Sequence, residues 1–222
     1  MAPLPFTEIP ANRRRQLLQI ARTAIARRLQ PDRRMPEWFF SEEGWNRLAA
    51  CFVTLHQGDS HRLRGCIGTL KAELALTHAV AYYAEQAAFE DPRFDPLTAA
   101  ELLSIEIEIS LLSPLTELLI GSEAELLQSL RPCIDGLWLQ AGSHRATFLP
   151  QVWQKLADPV EFVVQLKLKA GLAKDHWDQS FRCWRYSVES FSESDPALRL
   201  RHANPDCSGS GGDDSGLNRG VC

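Results

Sequence analysis

The sequence predicts an α+β fold built on an antiparallel sheet, because its predicted strands come in hairpins rather than alternating singly with helices. Within residues 104–112, apolar and polar side chains alternate from Ser104 to Leu111, as expected for a strand with one buried face. The 222 residues are 45% hydrophobic and 23% charged, a balance that supports a buried core. A chain of this length forms one domain, or two small lobes that share a core.

The first predicted element is an amphipathic helix over residues 13–29. Its apolar side chains recur every three or four positions, the period of one helix face, at Leu17, Leu18, Ala21, Ala24, Ile25 and Leu29. Pro31 and Pro36 end this helix because proline cannot continue the helical hydrogen bonds. The arginines of this segment also suit a transit peptide, but the apolar face favours a helix packed on the core. Residues 41–50 are predicted as a second, short helix.

A hairpin, a helix and a strand follow. Residues 51–56 and 62–67 are rich in β-branched and aromatic side chains and flank a break at Gly58, which predicts a hairpin. Residues 73–90 carry the apolar face of a helix. The strand over residues 104–112 then points four apolar side chains to one side, those of Ile105, Ile107, Ile109 and Leu111.

The second half of the chain is predicted to mix short helices with strands. Ser122 and Glu125 have the form of a capping box and open a helix that reaches residue 130. Residues 133–141 and 144–148 are predicted strands on either side of a turn at Gly142.

Two helical stretches, a strand and a tail complete the prediction. The first stretch begins near Pro150, residues 158–159 interrupt it, and Gly171 caps the second. Residues 182–191 are predicted as one final strand. Residues 201–222 are rich in Gly, Ser and Asp, and they are predicted to form a disordered tail after a folded domain over residues 1–200.

Charge and cysteine content exclude several classes of protein. The net charge is −4, with 24 basic against 28 acidic residues, which argues against a nucleic-acid binder of the usual basic kind. The longest apolar-rich stretch, residues 74–84, is shorter than the roughly 20 residues of a membrane span. The start of the chain lacks the pattern of a secretory signal, and the cysteines do not form a regular disulfide framework. The sequence therefore predicts a cytoplasmic protein without a membrane segment.

The most informative segment is the hexapeptide LRGCIG at residues 63–68. In a strand, Arg64 and Cys66 project to the same face, and a guanidinium beside a thiol favours the nucleophilic thiolate. Gly65 and Gly68 remove side-chain walls, so that a ligand or another backbone can approach closely. In the alternative interpretation, the glycines serve a bulge and Cys66 is a small buried apolar residue.

Arg93 and Glu108 are further candidates. Arg93 follows a predicted helix, where it would bind an anionic group through two hydrogen bonds or, alternatively, pair with Asp91 or Asp95. Glu106 and Glu108 share one face of a predicted strand, and two carboxylates that close would raise one pKa and provide a general acid or base. A solvated outer face of a half-buried sheet is the simpler explanation of these two glutamates, and Glu108 is the stronger candidate of the two.

The sequence predicts neither a cofactor nor a metal site. No histidine or cysteine pair has the close spacing of metal ligands, such as C-x-x-C or H-x-x-x-H. A phosphate-binding G-x-x-x-x-G-K-[ST] loop, a G-x-G-x-x-G turn after a strand and a G-x-S-x-G nucleophile elbow are also missing.

Six short blocks, in one order over roughly residues 15–192, carry a resemblance to a known family. They are FVT with LRGCIG, DPRF with PL, IEIS with LSP, FLPQV and KAGL, at residues 52–54, 63–68, 91–97, 107–114, 148–152 and 169–172. Together these blocks resemble the AMMECR domain family, called AmmeMemoRadiSam system protein A in prokaryotes. Residues 145–147 read RAT, where the family usually has glycine after the arginine, which weakens any inference about that turn.

The resemblance implies two lobes, with helices on a curled antiparallel sheet and a cleft lined by the LRGCIG segment. Prokaryotic members are typically encoded with, or fused to, a Memo-like protein and a radical S-adenosylmethionine enzyme, which are therefore the implied partners. The family has no settled biochemical activity. Membership favours a functional Cys66, with candidate ligand-binding residues at Thr54, Gly65, Gly68 and Arg93, and it names no reaction.

Two functions remain open at this point. In the first, Cys66 is a nucleophile or covalent carrier, Arg64 raises its thiolate fraction, and Glu108 or a histidine moves the proton. Arg93 would then hold a small anionic substrate. In the second, the chain is a non-catalytic adaptor that binds a partner's segment or a small effector in the same cleft.

Overall fold

The computed structural model of the chain describes residues 9–30, 32, 34–35, 47–58, 62–196 and 198. Its four α-helices are α1 (Ala11–Leu29), α2 (Leu76–Phe89), α3 (Glu123–Ser129) and α4 (Pro159–Lys169). Short 3-10 helices lie at Glu101–Leu103 and Pro150–Gln154. The strands of the described residues are β1 (Leu48–Gln57), β2 (Arg62–Gly68), β3 (Leu74–Ala75), β4 (Ile105–Leu112), β5 (Thr116–Leu118), β6 (Gly136–Ala141), β7 (His144–Phe148), β8 (Phe181–Tyr186) and β9 (Val188–Ser192).

The strands form two antiparallel sheets, which confirms the predicted α+β class. The first sheet has the order β2-β1-β4-β9, and β3 pairs with the start of β1. The second sheet has the order β5-β8-β6-β7. The predicted hairpin forms as β1 and β2, and the alternating strand forms as β4 with its four apolar side chains buried.

Each sheet has its own apolar core. Helices α1 and α2 cover one face of the first sheet, where Leu17, Ile20, Val53 and Ile107 lie in a single cluster. In the second sheet, Leu137 and Leu139 share a cluster with side chains of α3, α4 and the second 3-10 helix. A third, small cluster contains residues of both sheets: Ala50, Leu112 and Tyr186, with Phe52 and Trp138 packed against them.

The chain crosses between the sheets at two serines. β4 and β5 flank Ser113, and β8 and β9 flank Ser187. The backbone N–H of Ser113 donates to the carbonyl of Ser187 at 2.9 Å, and the N–H of Ser187 donates to the Ser113 hydroxyl at 2.9 Å. These paired bonds tie the two crossings together.

Three predicted elements differ from the structure. The strand predicted over residues 182–191 is two strands in different sheets, because the backbone leaves one sheet at Ser187 to pair with β4. The helix predicted over residues 41–50 is wrong at its end, where β1 begins at Leu48, and residues 41–46 lie outside the described part of the chain. β6 begins at Gly136 rather than at Cys133, whose φ of 64° belongs to a turn. The predicted tail at residues 201–222 also lies outside the described residues.

Lys167 on α4 is fully buried, and a carboxylate of α3 balances its charge. Its Nζ donates to Glu123 at 2.8 Å and to the carbonyl of Lys174 at 3.2 Å. We expect Glu123→Gln to lower the free energy of unfolding by about 2 kcal/mol, because a buried ammonium then lacks its counter-charge. Chemical denaturation measures this effect, with Glu161→Gln on the exposed side of α4 as the control. An equal loss in both variants would contradict this role of Glu123.

Candidate functional site

Three polar side chains from neighbouring strands form a row across the first sheet. In the strand pairing, Thr54 of β1 lies opposite Cys66 of β2 on one side and opposite Glu108 of β4 on the other. Directly paired residues point to the same face of a sheet. The Thr54 hydroxyl donates to the Cys66 sulfur at 3.3 Å. The thiol therefore lies at the open end of a polar row, on the edge strand of the sheet.

The row continues to a histidine. His56 follows Thr54 by two residues on β1, and its Nε2 lies 3.1 Å from a carboxylate oxygen of Glu108. The side chains of His56 and Glu108 are 19% and 26% exposed, so water and small solutes reach both. Cys66 is likewise half-buried. This arrangement can hold a proton on the same face of the sheet as the half-buried thiol, with Thr54 between them.

A loop after α2 holds the backbone of Cys66 from outside the sheet. The buried carboxylate of Asp91 accepts the Cys66 N–H at 2.8 Å. Arg93 donates to the same carboxylate through Nε at 2.9 Å and Nη2 at 2.6 Å, and Nη2 also donates to the Cys66 carbonyl at 3.3 Å. The two side chains thus bond the N–H and C=O that an edge strand leaves unpaired. We call this arrangement the Asp91–Arg93 clamp.

The clamp shifts the ionisation of both its members. The hydrogen bonds from the Arg93 side chain hold the pKa of Asp91 well below its usual range, and the N–H of Cys66 adds to this effect. The carboxylate of Asp91 in turn raises the pKa of Arg93. Both groups are therefore charged over the whole physiological pH range.

Arg64 lies elsewhere than the sequence alone predicted. The register places Leu55 opposite Gly65 and His56 opposite Leu63, so that Arg64 is the extra residue of a β-bulge. Its guanidinium is buried and donates to the Glu101 carboxylate at 2.8 Å and to the backbone carbonyl of Asp95, in the loop after α2, at 3.0 Å. These bonds with Arg64 lower the pKa of Glu101 to about 2. The charge of Arg64 is therefore balanced by Glu101, and the arginine that bonds to Cys66 is Arg93.

The two glycines of the hexapeptide contact the protein's own backbone. A Cβ added at Gly65 would lie 2.1 Å from the carbonyl oxygen of Ala87 on α2. At Gly68 it would lie 2.3 Å from the carbonyl oxygen of Cys51 on β1. The sequence left open whether these glycines admit a ligand, admit another backbone or serve a bulge. Another backbone approaches closely at both positions.

The other described cysteines differ from Cys66 in exposure. Cys51 and Cys183 are buried, and burial raises the pKa of each thiol to about 12. Cys133 is exposed. Within the described residues, no three His, Cys, Asp or Glu side chains lie close enough to share a metal ion.

A pocket of about 400 Å³ lies beside this site and between the two sheets. The first sheet and the segment that follows β2 contribute part of its lining, and β6 and β7 contribute the rest. The lining residues are Phe52, Gly68, Thr69, Leu70, Lys71, Trp138, Arg145, Ala146 and Thr147.

The sequence predicted part of this site. It selected Cys66, Thr54, Glu108 and Arg93, and the structure brings the first three into one row with Arg93 bonded to the Cys66 backbone. It did not single out Asp91 as the acceptor of the Cys66 N–H. The sequence left open a pair of Arg93 with Asp91 or Asp95, and the structure shows the pair with Asp91.

Comparison with known proteins assigns the family. A sequence model of the AMMECR1 family matches residues 18–191. The chain belongs to the AMMECR1 family. Among its relatives, protein MJ0810 of Methanocaldococcus jannaschii is 36% identical over 69% of this chain and 78% of its own length. A protein of Aquifex aeolicus is 35% identical over 86% of this chain and 97% of its own length.

A solved structure of the same family has the same fold. The crystal structure of the uncharacterized protein PH0010 from Pyrococcus horikoshii matches with a TM-score of 0.70 and 30% sequence identity, over 80% of this chain and 90% of the other. The names of these AMMECR1-family relatives state no activity, so family membership establishes the fold and not the reaction. Among the helices that the structure describes, none is long and apolar enough to cross a membrane.

Proposed function

We propose that this AMMECR1-family protein uses Cys66 as a nucleophile or covalent carrier for a small electrophilic substrate. The observation that carries this proposal is the row of Cys66, Thr54 and Glu108, which ends in the contact of Glu108 with His56. An accessible thiol, a hydroxyl that donates to its sulfur and a carboxylate–histidine pair are the parts that thiol chemistry needs.

In the proposed reaction, the Cys66 sulfur adds to an electrophilic carbonyl carbon and forms a C–S bond, while the carbonyl π bond breaks and its electron pair moves to the oxygen. Thr54 lies between the sulfur and the pair of Glu108 and His56, so the thiol proton passes to this pair through solvent and returns to the sulfur when the C–S bond breaks and the carbonyl re-forms. The hydrogen bond from Thr54 stabilises the sulfur anion before attack. Arg93, whose charge Asp91 balances, positions the backbone of Cys66 and offers its exposed side chain to an anionic substrate, and Arg64 acts as a positioning residue through Glu101.

The reactivity of the individual cysteines tests this proposal. We expect iodoacetamide at neutral pH to modify Cys66 at least about tenfold faster than the exposed Cys133. The thiolate is the reacting form, and the hydrogen bond from Thr54 stabilises it at Cys66. Cys51 and Cys183 are expected to stay unmodified until the protein unfolds. Mass spectrometry of peptides from native protein measures all four rates in one sample.

Variants of the row provide the matched comparison. Thr54→Val removes the hydrogen bond to sulfur and is expected to slow modification of Cys66 by about fivefold, the effect of roughly 1 kcal/mol. Thr116→Val on β5 is the control with the same change at an exposed position. Glu108→Gln is expected to change how the rate of modification at Cys66 depends on pH. The same dependence at Cys133 is expected to stay unchanged.

The opposite result favours the adaptor. If Cys66 reacts no faster than Cys133, and Cys66→Ser keeps every binding function, the chain is better described as a module that binds a partner's segment or a small effector. The pocket of about 400 Å³ beside the row supports this second candidate, because it has the size of a small-molecule site.

Partners and location complete the proposal. By resemblance to prokaryotic members of the family, we propose that the chain works with a Memo-like protein and a radical S-adenosylmethionine enzyme. We also propose a cytoplasmic location, which the free thiols of Cys51, Cys66, Cys133 and Cys183 support. Co-purification of the three proteins from cells, with Cys66→Ser as a comparison, tests the partnership.

A further inference from the structure

The pocket between the sheets adjoins the thiol. Phe52 and Gly68 form the next cross-strand pair on the same face as Thr54 and Cys66, two residues further along both strands. Two residues of a strand span about 6.7 Å. Since Phe52 and Gly68 line the pocket, its wall begins one row away from the Cys66 sulfur.

The pocket is positively charged and lacks a compensating carboxylate. Lys71 follows β2, and Arg145 lies on β7 of the other sheet. Neither side chain forms an ion pair within the described residues, whereas seven other arginines there are paired with Asp or Glu. None of the nine lining residues is acidic. An anion in this pocket would meet two cations from opposite walls.

The remaining lining provides an apolar surface with two hydroxyls. Phe52, Leu70 and Trp138 all pack against the third cluster. Trp138 is held in place by Trp184 of the paired strand, with ring centroids 4.8 Å apart. Rigid aromatic walls of this kind suit a planar, apolar ligand.

We propose that this pocket binds a small molecule that combines an aromatic or other planar apolar part with one anionic group. Lys71 and Arg145 hold the anionic group, and Phe52, Leu70 and Trp138 contact the apolar part. This proposal rests on the residues that line the pocket and does not depend on the role of Cys66. Only the further statement, that its ligand is the substrate of Cys66, rests on the proposed function.

Binding of 8-anilinonaphthalene-1-sulfonate, an aromatic monoanion with fluorescence sensitive to its surroundings, tests the pocket. We expect Lys71→Gln and Arg145→Gln each to weaken binding about threefold, and the double variant about tenfold, since exposed ion pairs contribute modestly. Lys155→Gln, an exposed lysine outside the pocket, is expected to bind as the unchanged protein does. The uncharged analogue N-phenyl-1-naphthylamine is expected to bind all variants equally.

Protection of cysteines separates the two statements. Saturating sulfonate probe is expected to slow iodoacetamide at Cys66 and not at Cys133, because the bound probe covers one side of the row. If the double variant binds the probe as tightly as the unchanged protein, the pocket proposal is wrong, whatever Cys66 does. If binding depends on both cations but Cys66 stays unprotected, the pocket stands and its role as the substrate site is wrong. An inert Cys66 in the absence of probe contradicts the proposed function alone.

Discussion

Gly65→Ala is expected to prevent stable folding, with a loss of about 4 kcal/mol or more in the free energy of unfolding. The new Cβ would lie 2.1 Å from the carbonyl oxygen of Ala87 and 3.1 Å from its carbonyl carbon. Both atoms belong to the backbone of α2, so no side-chain rotation relieves the contact. Helix α2 would have to move away from β2, and the core that both share would lose its packing.

Gly121→Ala provides the control for this prediction. Its new Cβ would meet only carboxylate oxygens of Glu125, at 3.8 Å and 3.9 Å, which is ordinary contact. Thermal and urea denaturation of the soluble fraction measure both variants. A Gly65→Ala protein with an unchanged midpoint would show that β2 does not hold the position described. Glycine substitutions in the hexapeptide therefore test the fold, and ligand binding is tested through Lys71 and Arg145 instead.

Asp91→Asn is expected to lower the free energy of unfolding by about 3 kcal/mol at neutral pH. The carboxylate accepts the N–H of Cys66 and three hydrogen bonds from Arg93, of which two come from the guanidinium. An amide of the same shape has one acceptor oxygen, and its NH2 group would face the arginine donors. The same variant is expected to change the rate of modification at Cys66 and not at Cys133, because the clamp holds the backbone of Cys66.

The loss in Asp91→Asn depends on pH in a defined direction. The pKa of Asp91 is lowered in the folded protein by its hydrogen bonds with Arg93, so the ionised carboxylate stabilises the fold above the unfolded pKa of about 3.9. That contribution is lost as the pH falls from there toward the folded pKa. The difference in the free energy of unfolding between the unchanged protein and Asp91→Asn is therefore expected to be constant from pH 5 to 7. It is expected to become smaller below about pH 4.

Urea denaturation of both proteins over this pH range measures how the difference in their free energies of unfolding changes. The pKa of Glu101 is also lowered, to about 2, but Glu101 is present in both proteins and its effect cancels in the difference. Asp175→Asn, at an exposed position, is the control and is expected to leave stability within about 0.5 kcal/mol. A deficit in Asp91→Asn that persists undiminished at low pH would show that shape, rather than charge, explains it.

Local pattern predicted most of the elements and part of the site. The periods of α1 and β4, the cap at Ser122 and the proline at the start of the 150–154 turn all depend on near neighbours in the chain. Cys66 was selected from the residue types of the hexapeptide, and Thr54 from the resemblance to the family. The bulge that turns Arg64 toward Glu101 was not predicted in position, because a bulge depends on the register between two strands.

The sequence by itself determined the fold class, the family and the candidate thiol, since each depends on composition, period or a short block of residues. Only the tertiary structure decided which sheet each half of residues 181–192 joins, which arginine bonds to the Cys66 backbone, and that Lys71 and Arg145 line one pocket. The physical reason is the same in all three cases. Strand pairing, burial and charge compensation bring together residues that lie far apart in the chain. A local sequence pattern does not show which of these distant residues meet.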